Sequence, residues 1–358
     1  MKKADFSKKL VEWYYAHHRD LPWRNTQDAY KIWLSEIILQ QTRVAQGLPY
    51  YKKFIQQFPN INSLAEAKEQ EVLRLWQGLG YYARARNLHK CAGKVVNNYA
   101  GKFPRTFLEL KGLPGIGDYT AAAIASFAFD EPVAVVDGNV YRVLSRIFGI
   151  DKNIASTEGK KFFFVLANDL IPADIPGMHN QAVMEFGARH CLPQNPKCDE
   201  CIFRKNCFAF QHEQIDLLPV KIKQQKIIKR YFYYFLVRSN HKILMTERTG
   251  KDIWKGLFDF PLLETKRAIG VGKVLKKIFP LGPALRAAEL KKLISRDYKH
   301  ILTHQRIQAR FIEINWSVDK TLFSSLLFAK AKWYSFKQIE KVPKPVLITR
   351  YLTDQGIL

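Results

Sequence analysis

Two carboxylates in this chain stand where a carboxylate has chemistry to do. Glu36 lies in IWLSEIILQQT (32–42), a run that otherwise reads as the buried face of a helix. At helical spacing Ile32 and Trp33 lie behind it and Leu39 and Gln40 ahead. An ionised carboxylate loses hydration there, so its pKa rises unless a partner offsets the loss. A glutamate turned to solvent or paired with an arginine is the plain alternative. Asp137, in AVVDGNVYRVLSR (134–146), follows an apolar stretch at the start of a helix, where an N-cap is the default explanation. Together they make two acids in one helical region, one in apolar company and one in a polar turn beside Asn139. Paired carboxylates divide in this way into proton donor and ionised stabiliser.

A second constellation is sulfur. Cys191, Cys198, Cys201 and Cys207 follow the pattern C-x6-C-x2-C-x5-C within 17 residues, and one other cysteine, Cys91, exists in the chain. Four thiolates this close suit one metal centre, a [4Fe–4S] cluster or a tetrahedral zinc, and spacing does not choose between them. Lys197, Arg204 and Lys205 punctuate the loop and give it a positive face.

The third is glycine. LKGLPGIGDYTAAAIASF (110–127) sets Gly112, Gly115 and Gly117 in a tight turn before an alanine-rich helix. Glycines let backbone N–H groups approach an anion, and a following helix N-terminus favours negative charge. A dinucleotide fold is excluded because TFLELK, just before, reads as helix and no βαβ unit follows; a Walker lysine–serine pair is absent too. The pattern fits a helix–turn–helix on a nucleic-acid phosphate, with a plain interhelical turn as the alternative.

The elements that must hold these groups fall into two textures. Residues 1–213 read as mainly helical, with apolar periodicity in 28–46, 64–76, 84–100, 118–129, 138–148, 158–170 and 180–190. The stretch 214–228 is polar and basic and reads as a linker. From 229 to 358 short segments rich in aromatic and β-branched residues, KRYFYYFLVRS, HKILMTER, RIQARFIEINW and AKWYSF, predict a sheet-bearing α+β domain. Lys+Arg 57 against Asp+Glu 32 leaves +25 over 358 residues, with 13% aromatics, which favours nucleic acid as partner. No apolar run reaches the ~18–20 residues of a membrane span, and MKKADFSKKLVEWYY lacks the apolar core of a secretory signal. A monomer in the reducing cytoplasm or nucleoid is expected.

These signals converge on a resemblance. LPWR (21–24), SEIILQQT (35–42), GLGYYARARNL (78–88), LPGIGDYTAAAI (113–124), VDGNVYRVLSR (136–146), NQAVMEFGA (180–188) and the cysteine loop are similar to the adenine DNA glycosylases of the MutY type, in the helix–hairpin–helix glycosylase superfamily. The resemblance implies a [4Fe–4S] cluster on the cysteine loop 191–207. It also implies removal of adenine paired with 8-oxoguanine or guanine in double-stranded DNA. TGKDIWKGLFDFPLLE (249–264) and HILTHQRIQARF (300–311) resemble the family's Nudix-like domain, which reads 8-oxoguanine. The family's usual Phe-Ser-His is here Leu302-Thr303-His304, which keeps a hydroxyl and loses the stacking ring.

The rival is the endonuclease III branch, which places a Schiff-base lysine after the hairpin; here Tyr119 stands there, so a monofunctional glycosylase is implied. A DNA-binding protein with a metal and no catalysis is the remaining alternative. The resemblance assigns Glu36 as acid, Asp137 as stabiliser or nucleophile, Tyr119 as a hydrogen-bonding partner near Asp137, and Asn139 as organiser. Arg24, Gln181 and Trp23 match the pocket for the flipped adenine, and Leu39, Gln41 and Tyr81 match residues that wedge into the duplex. Thr303 and His304 match the readers of the oxidised base. Trp23 and Leu39 as plain core, and Arg24 as a surface phosphate clamp, are the alternatives. Nucleotide hydrolysis by the second half is not expected, because ALRAAELKKLI (284–294) and its surroundings lack a glutamate cluster.

Overall fold

The computed structural model describes residues 3–222, 227–239, 241–278, 294–315 and 327–358. Residues 284–293, on which part of the argument against nucleotide hydrolysis rests, lie outside them. The chain divides into two units, 1–66 with 87–224, and 67–86 with 225–358.

The first unit is helical: α1 (Lys3–His17), α2 (Ala29–Leu39), α3 (Val44–Gln57), α4 (Ile61–Glu66), most of α6 (Ala83–Tyr99), α7 (Phe107–Lys111), α8 (Asp118–Phe129), α9 (Gly138–Phe148), α10 (Thr157–Leu170), α11 (Pro176–Arg189) and α12 (Phe208–Gln211). Helix α5 (Glu69–Leu75) belongs to the second unit. The helix predicted over 28–46 is two helices, broken at Gln40–Arg43, where Gln41 adopts φ +55°. The helix over 64–76 is likewise split, into α4 and α5. Phe6, Leu10 and Trp13 of α1 meet Val143 and Ile147 of α9, Phe163 of α10, Phe186 of α11 and Phe203 in one core. That core underlies the cysteine loop, since Cys207 is part of it. The start of the 214–228 stretch joins it too: Leu218 is buried, and Arg146 Nε donates to the carbonyls of Ile215 and Leu218, 3.0 Å each.

The second unit is built on β1 (Ile228–Ser239), whose residues 232–237 are all buried. An apolar run this continuous marks a strand covered on both faces. β1 runs parallel to β6 (Gln305–Asn315) and antiparallel to β2 (Lys242–Glu247) and β4 (Leu262–Thr265). β5 (Tyr298–Ile301) pairs antiparallel with β6; β3 (Phe258–Asp259) and β7 (Lys332–Ser335) pair antiparallel with β2. Tyr233, Phe235 and Val237 pack on α13 (Val271–Ile278). The opposite face holds Phe232 and Tyr234 against Trp254 and Phe311, with α14 (Phe336–Lys341) and α15 (Val346–Asp354) completing the unit. Among the described residues no helix is long and apolar enough to cross a membrane.

Candidate active site

Asp28 caps α2 by accepting from the backbone N–H of Tyr30 at 2.9 Å, which fixes the phase in which Glu36 leaves the helix. Glu36 is 7% exposed and its main partner is a hydroxyl: Tyr119 Oη, from the first turn of α8, donates to Glu36 Oε2 at 2.8 Å. Burial pushes the carboxyl up to about 7, against the pull of the Tyr119 hydrogen bond; the charge of Asp137 pushes the same way as burial, and Arg24 opposes. Trp33, expected beside Glu36, packs instead on Tyr30 and Phe103. Ile32 and Leu39 do line the cavity next to it.

Asp137 is the N-cap of α9 and also lines that cavity, so both readings of this residue meet in one side chain. Its Oδ1 accepts from the N–H groups of Asn139 and Val140 at 2.8 Å, and its Oδ2 from Asn139 Nδ2 at 2.7 Å. Burial raises its pKa, and these three donors hold it back. Asn139 Oδ1 in turn accepts from Arg142 Nη2 at 2.9 Å, and Arg142 Nε donates to the Cys191 carbonyl at 2.7 Å. A continuous hydrogen-bonded path thus joins the Asp137 carboxylate to the first residue of the cysteine loop. Gly187 makes room for it, since a Cβ there would meet Asn139 Cβ at 2.6 Å. Tyr119, expected as a hydrogen-bonding partner near Asp137, lines the same cavity as Asp137 and gives its hydrogen bond to Glu36.

The cavity is about 260 Å³ and gathers Glu36, Asp137, Tyr119, Asn139, Trp23, Arg24, Leu39 and Gln181 from five chain segments. That volume is at the small end for a site that holds an organic molecule. Trp23 is both wall and core, 8% exposed and edge-on to Tyr51. Gln181 Oε1 accepts from Tyr14 Oη at 2.7 Å. Arg24 is no surface clamp: its side chain is 12% exposed and Nη2 donates to Glu185 Oε2 at 2.6 Å. Arg19 grips the same carboxylate through Nε and Nη2 at 2.7 and 2.6 Å. Burial raises Glu185, yet the two guanidinium groups outweigh it and bring the pKa down to about 2. The sequence reading missed Glu185, Arg19 and Tyr14. Glu185 had a signal, standing four residues after Gln181 and so on the same helical face.

Other expected residues lie elsewhere. Gly112, Gly115 and Gly117 form the exposed turn between α7 and α8, and Lys94 Nζ donates to the Gly112 carbonyl at 2.9 Å. Gly115 has φ +76°, and a Cβ there would meet Asn87 Cβ at 2.6 Å, so any other residue distorts the turn. Gln41 is exposed just beyond α2, outside the cavity lining. Tyr81, Thr303 and His304 all belong to the second unit. There Tyr81, at φ +49° and 40% exposed, sets its hydroxyl 2.8 Å from Thr303 Oγ1. Thr303 and His304 are exposed at a tight turn closed by Leu302 N–H donating to the Gln305 carbonyl at 2.9 Å.

The four cysteines lie close enough for Cys191, Cys198, Cys201 and Cys207 to feel one another's charge. Burial first, then those neighbours, push Cys198, Cys201 and Cys207 up, Cys201 to about 12. Arg146 Nη1 lies 3.5 Å from Cys191 Sγ, and the Phe203 N–H points at Cys201 Sγ at 3.4 Å. Four soft thiols with N–H donors around them fit a metal centre in donor type, because a coordinating metal removes the thiol proton outright. Among the described residues, however, no three His, Cys, Asp or Glu side chains are drawn together as a metal-holding group.

Residues 34–164 match the HhH-GPD superfamily of base excision DNA repair proteins, and residues 233–354 match the NUDIX domain. Fold and cavity together define a helix–hairpin–helix base-excision enzyme with a Nudix domain at its C-terminal end. A thermostable thymine-DNA glycosylase superposes with TM-score 0.55 at 31% identity, over 59% of this chain and 97% of that one. An endonuclease III–DNA complex superposes at TM-score 0.51 and 22% identity, which speaks for the fold alone. Adenine DNA glycosylase of Buchnera aphidicola subsp. Schizaphis graminum is 34% identical over 95% of this chain and 96% of its own. The Homo sapiens adenine DNA glycosylase is 45% identical over 60% of this chain and 41% of its own. This chain belongs to the adenine DNA glycosylase family, enzymes of base-excision repair that hydrolyse the N-glycosidic bond of adenine.

Proposed function

We propose that this enzyme removes adenine paired with 8-oxoguanine, or with guanine, from double-stranded DNA, and does so without a lyase step. The observation that carries the reading is the meeting of Glu36, Tyr119 and Asp137 in one cavity, where burial pushes the Glu36 carboxyl up to about 7. Adenine inside a duplex is out of reach and must be flipped into a pocket. Trp23, Arg24, Leu39 and Gln181 form its walls. Adenine leaves deoxyribose poorly as an anion, and Glu36 supplies a proton to N7 so that it departs neutral. Asp137, whose three N–H donors favour its ionised form against burial, faces the positive charge that grows at C1′ and stabilises or traps it. Water then attacks C1′, and Glu36 takes back a proton as base. Tyr119 stands where a lyase would carry its lysine, so that position offers no amine to form a Schiff base.

Thr303 and His304 would read the oxidised base, with Tyr81 and Gln41 wedged into the duplex and Gly112, Gly115 and Gly117 on a backbone phosphate. Leucine at 302 cannot stack, which makes that residue the weak point in telling 8-oxoguanine from guanine. Cys191, Cys198, Cys201 and Cys207 would hold a [4Fe–4S] cluster through their thiolates, on the loop that carries Lys197, Arg204 and Lys205. The enzyme would act as a monomer at the nucleoid, in the reducing cytoplasm. The test is single-turnover release of adenine from duplexes with adenine opposite 8-oxoguanine, guanine or thymine. We expect the 8-oxoguanine duplex to react fastest and the Glu36→Gln variant to lose release. No release from any duplex by the wild type would overturn the reading.

A further inference from the structure

Most of the sheet face that carries Tyr233, Phe235 and Ile312 is buried under α13, but its far end is open and cationic. Strand register shows how. Lys229 of β1 stands opposite Arg306 of β6, and Tyr231 opposite Gln308. On the other side of β6, Ile301 stands opposite Arg306 and Lys299 opposite Gln308. Side chains alternate along a strand, so these six residues share one face. They line a cavity of about 210 Å³ whose described walls contain no carboxylate. Lys229 and Lys299 are exposed and make no salt bridge among the described residues. Arg230, also in the wall, is already engaged by Asp252 and Glu264. Ile301 is 68% exposed at the rim.

This end of the sheet runs directly into the Leu302–His304 turn. Arg306 Nη1 donates to the Leu302 carbonyl, and Ile228 N–H donates to the His304 carbonyl at 2.9 Å. The group that holds the turn in shape is therefore also a wall of the cationic cavity. We propose that this end of the sheet is a phosphodiester-binding site, with Lys229, Lys299 and Arg306 on the phosphates and Ile301 against the deoxyribose of the strand whose base lies at the turn. The inference rests on the reading of that turn given above. A base held there by Thr303 and His304 brings its own backbone with it, and cations fix register while the turn reads identity.

The test is the salt dependence of equilibrium binding to a duplex carrying adenine opposite 8-oxoguanine. It uses the full chain in a Glu36→Gln background, so that the duplex stays intact. The expected result is a slope of log K against log salt that is shallower by about 2 in the Lys229→Ala/Lys299→Ala double variant, close to 0.9 for each phosphate no longer neutralised. Arginine at both positions should restore the slope, and Lys276→Ala on α13 should leave it unchanged. An unchanged slope in the double variant, or an equal loss per lysine in the control, overturns the site. Adenine release by the wild type is measured in parallel. Release with an unchanged slope removes the phosphate site and leaves the reaction standing. No release with a shallower slope keeps the site and removes the reaction.

Discussion

Each unit of this protein has a cavity walled by three acids, and the two sets are partnered differently. In the helical unit Glu36 and Asp137 find their hydrogen bonds in a tyrosine hydroxyl, two backbone amides and an asparagine, with arginines drawn off to Glu185. In the sheet unit a cavity of about 310 Å³ has Asp252, Asp259 and Glu264 in its wall, and every one is bonded to Arg230 or Arg248. Asp259 is pushed up to about 6 by burial in spite of Arg248, while Asp252 is held below the usual carboxylate range once its arginines offset burial. Cavity size and acid count do not separate the two; the partners do. Glu36, bonded to a neutral hydroxyl and buried, can carry a proton and give it up. In the sheet unit the guanidinium groups of Arg230 and Arg248 occupy oxygens of all three acids, which leaves them poorly placed for a divalent cation.

The comparison breaks most sharply at Glu36. Its substitution by glutamine should lower single-turnover release by about 10²- to 10⁴-fold, the range for a lost general acid. The wild-type rate should fall as pH rises above about 7, where Glu36 gives up its proton in the free enzyme. Stability carries the same signature. Folding raises Glu36 above its unfolded value of 4.5, so its contribution is full below about 4.5 and is lost as pH rises through about 7. Melting temperatures at pH 5 and pH 8 should therefore differ more in the wild type than in Glu36→Gln.

Next in size is Arg248→Met in the sheet unit. It leaves Asp259 buried without its cation, at a cost of about 3 kcal/mol, because an unpaired buried charge is the expensive outcome of breaking a pair. Denaturant unfolding should show the loss at pH 8 and a smaller one at pH 5, where Asp259 can stay protonated. Glu185→Gln, by contrast, should make the helical cavity resemble the sheet one. Arg24 loses its partner and becomes free to attract Glu36, so the alkaline limb of the pH–rate profile should move to lower pH. Stability should fall by about 2–3 kcal/mol, below the full cost of a broken buried pair because Arg19 is partly exposed. Smallest is Tyr81→Phe, which deletes only the bond to Thr303. A loss of about 0.5–1.5 kcal/mol of stability is expected, with the ratio of release opposite 8-oxoguanine to release opposite guanine as the measurement that registers it.

Much of this was legible before any coordinates. The helices carrying Tyr119, Asp137 and Gln181 follow from local periodicity and glycine punctuation, and β1 from an aromatic run too continuous for a one-sided strand. Glu36 stood out because a charge in an apolar period is a local anomaly. What escaped is non-local. Glu185 meets Arg24 across 161 residues of chain and Arg19 across 166, and no window of sequence contains both partners. The break at Gln41 was hidden because α2 and α3 carry apolar residues on both sides of it, and a left-handed glutamine leaves no compositional mark. Trp33 was placed beside Glu36 by spacing alone, whereas aromatic neighbours distant in sequence turn it the other way.

The short segment 67–86 has a consequence for how such a protein can be taken apart or exchanged. It lies well inside the helical sequence, yet Gln77 bonds Thr349, Tyr82 bonds the Lys344 carbonyl and Arg86 bonds the Lys255 carbonyl. A cut near residue 224 therefore does not follow the structural seam. It strands α5 and the start of α6 without the partners of Leu73 and Tyr82, both buried in the intact chain. Half-molecules traded between relatives would inherit this mismatch, and a working chimera has to carry residues 67–86 along with the C-terminal half, as a graft in two pieces.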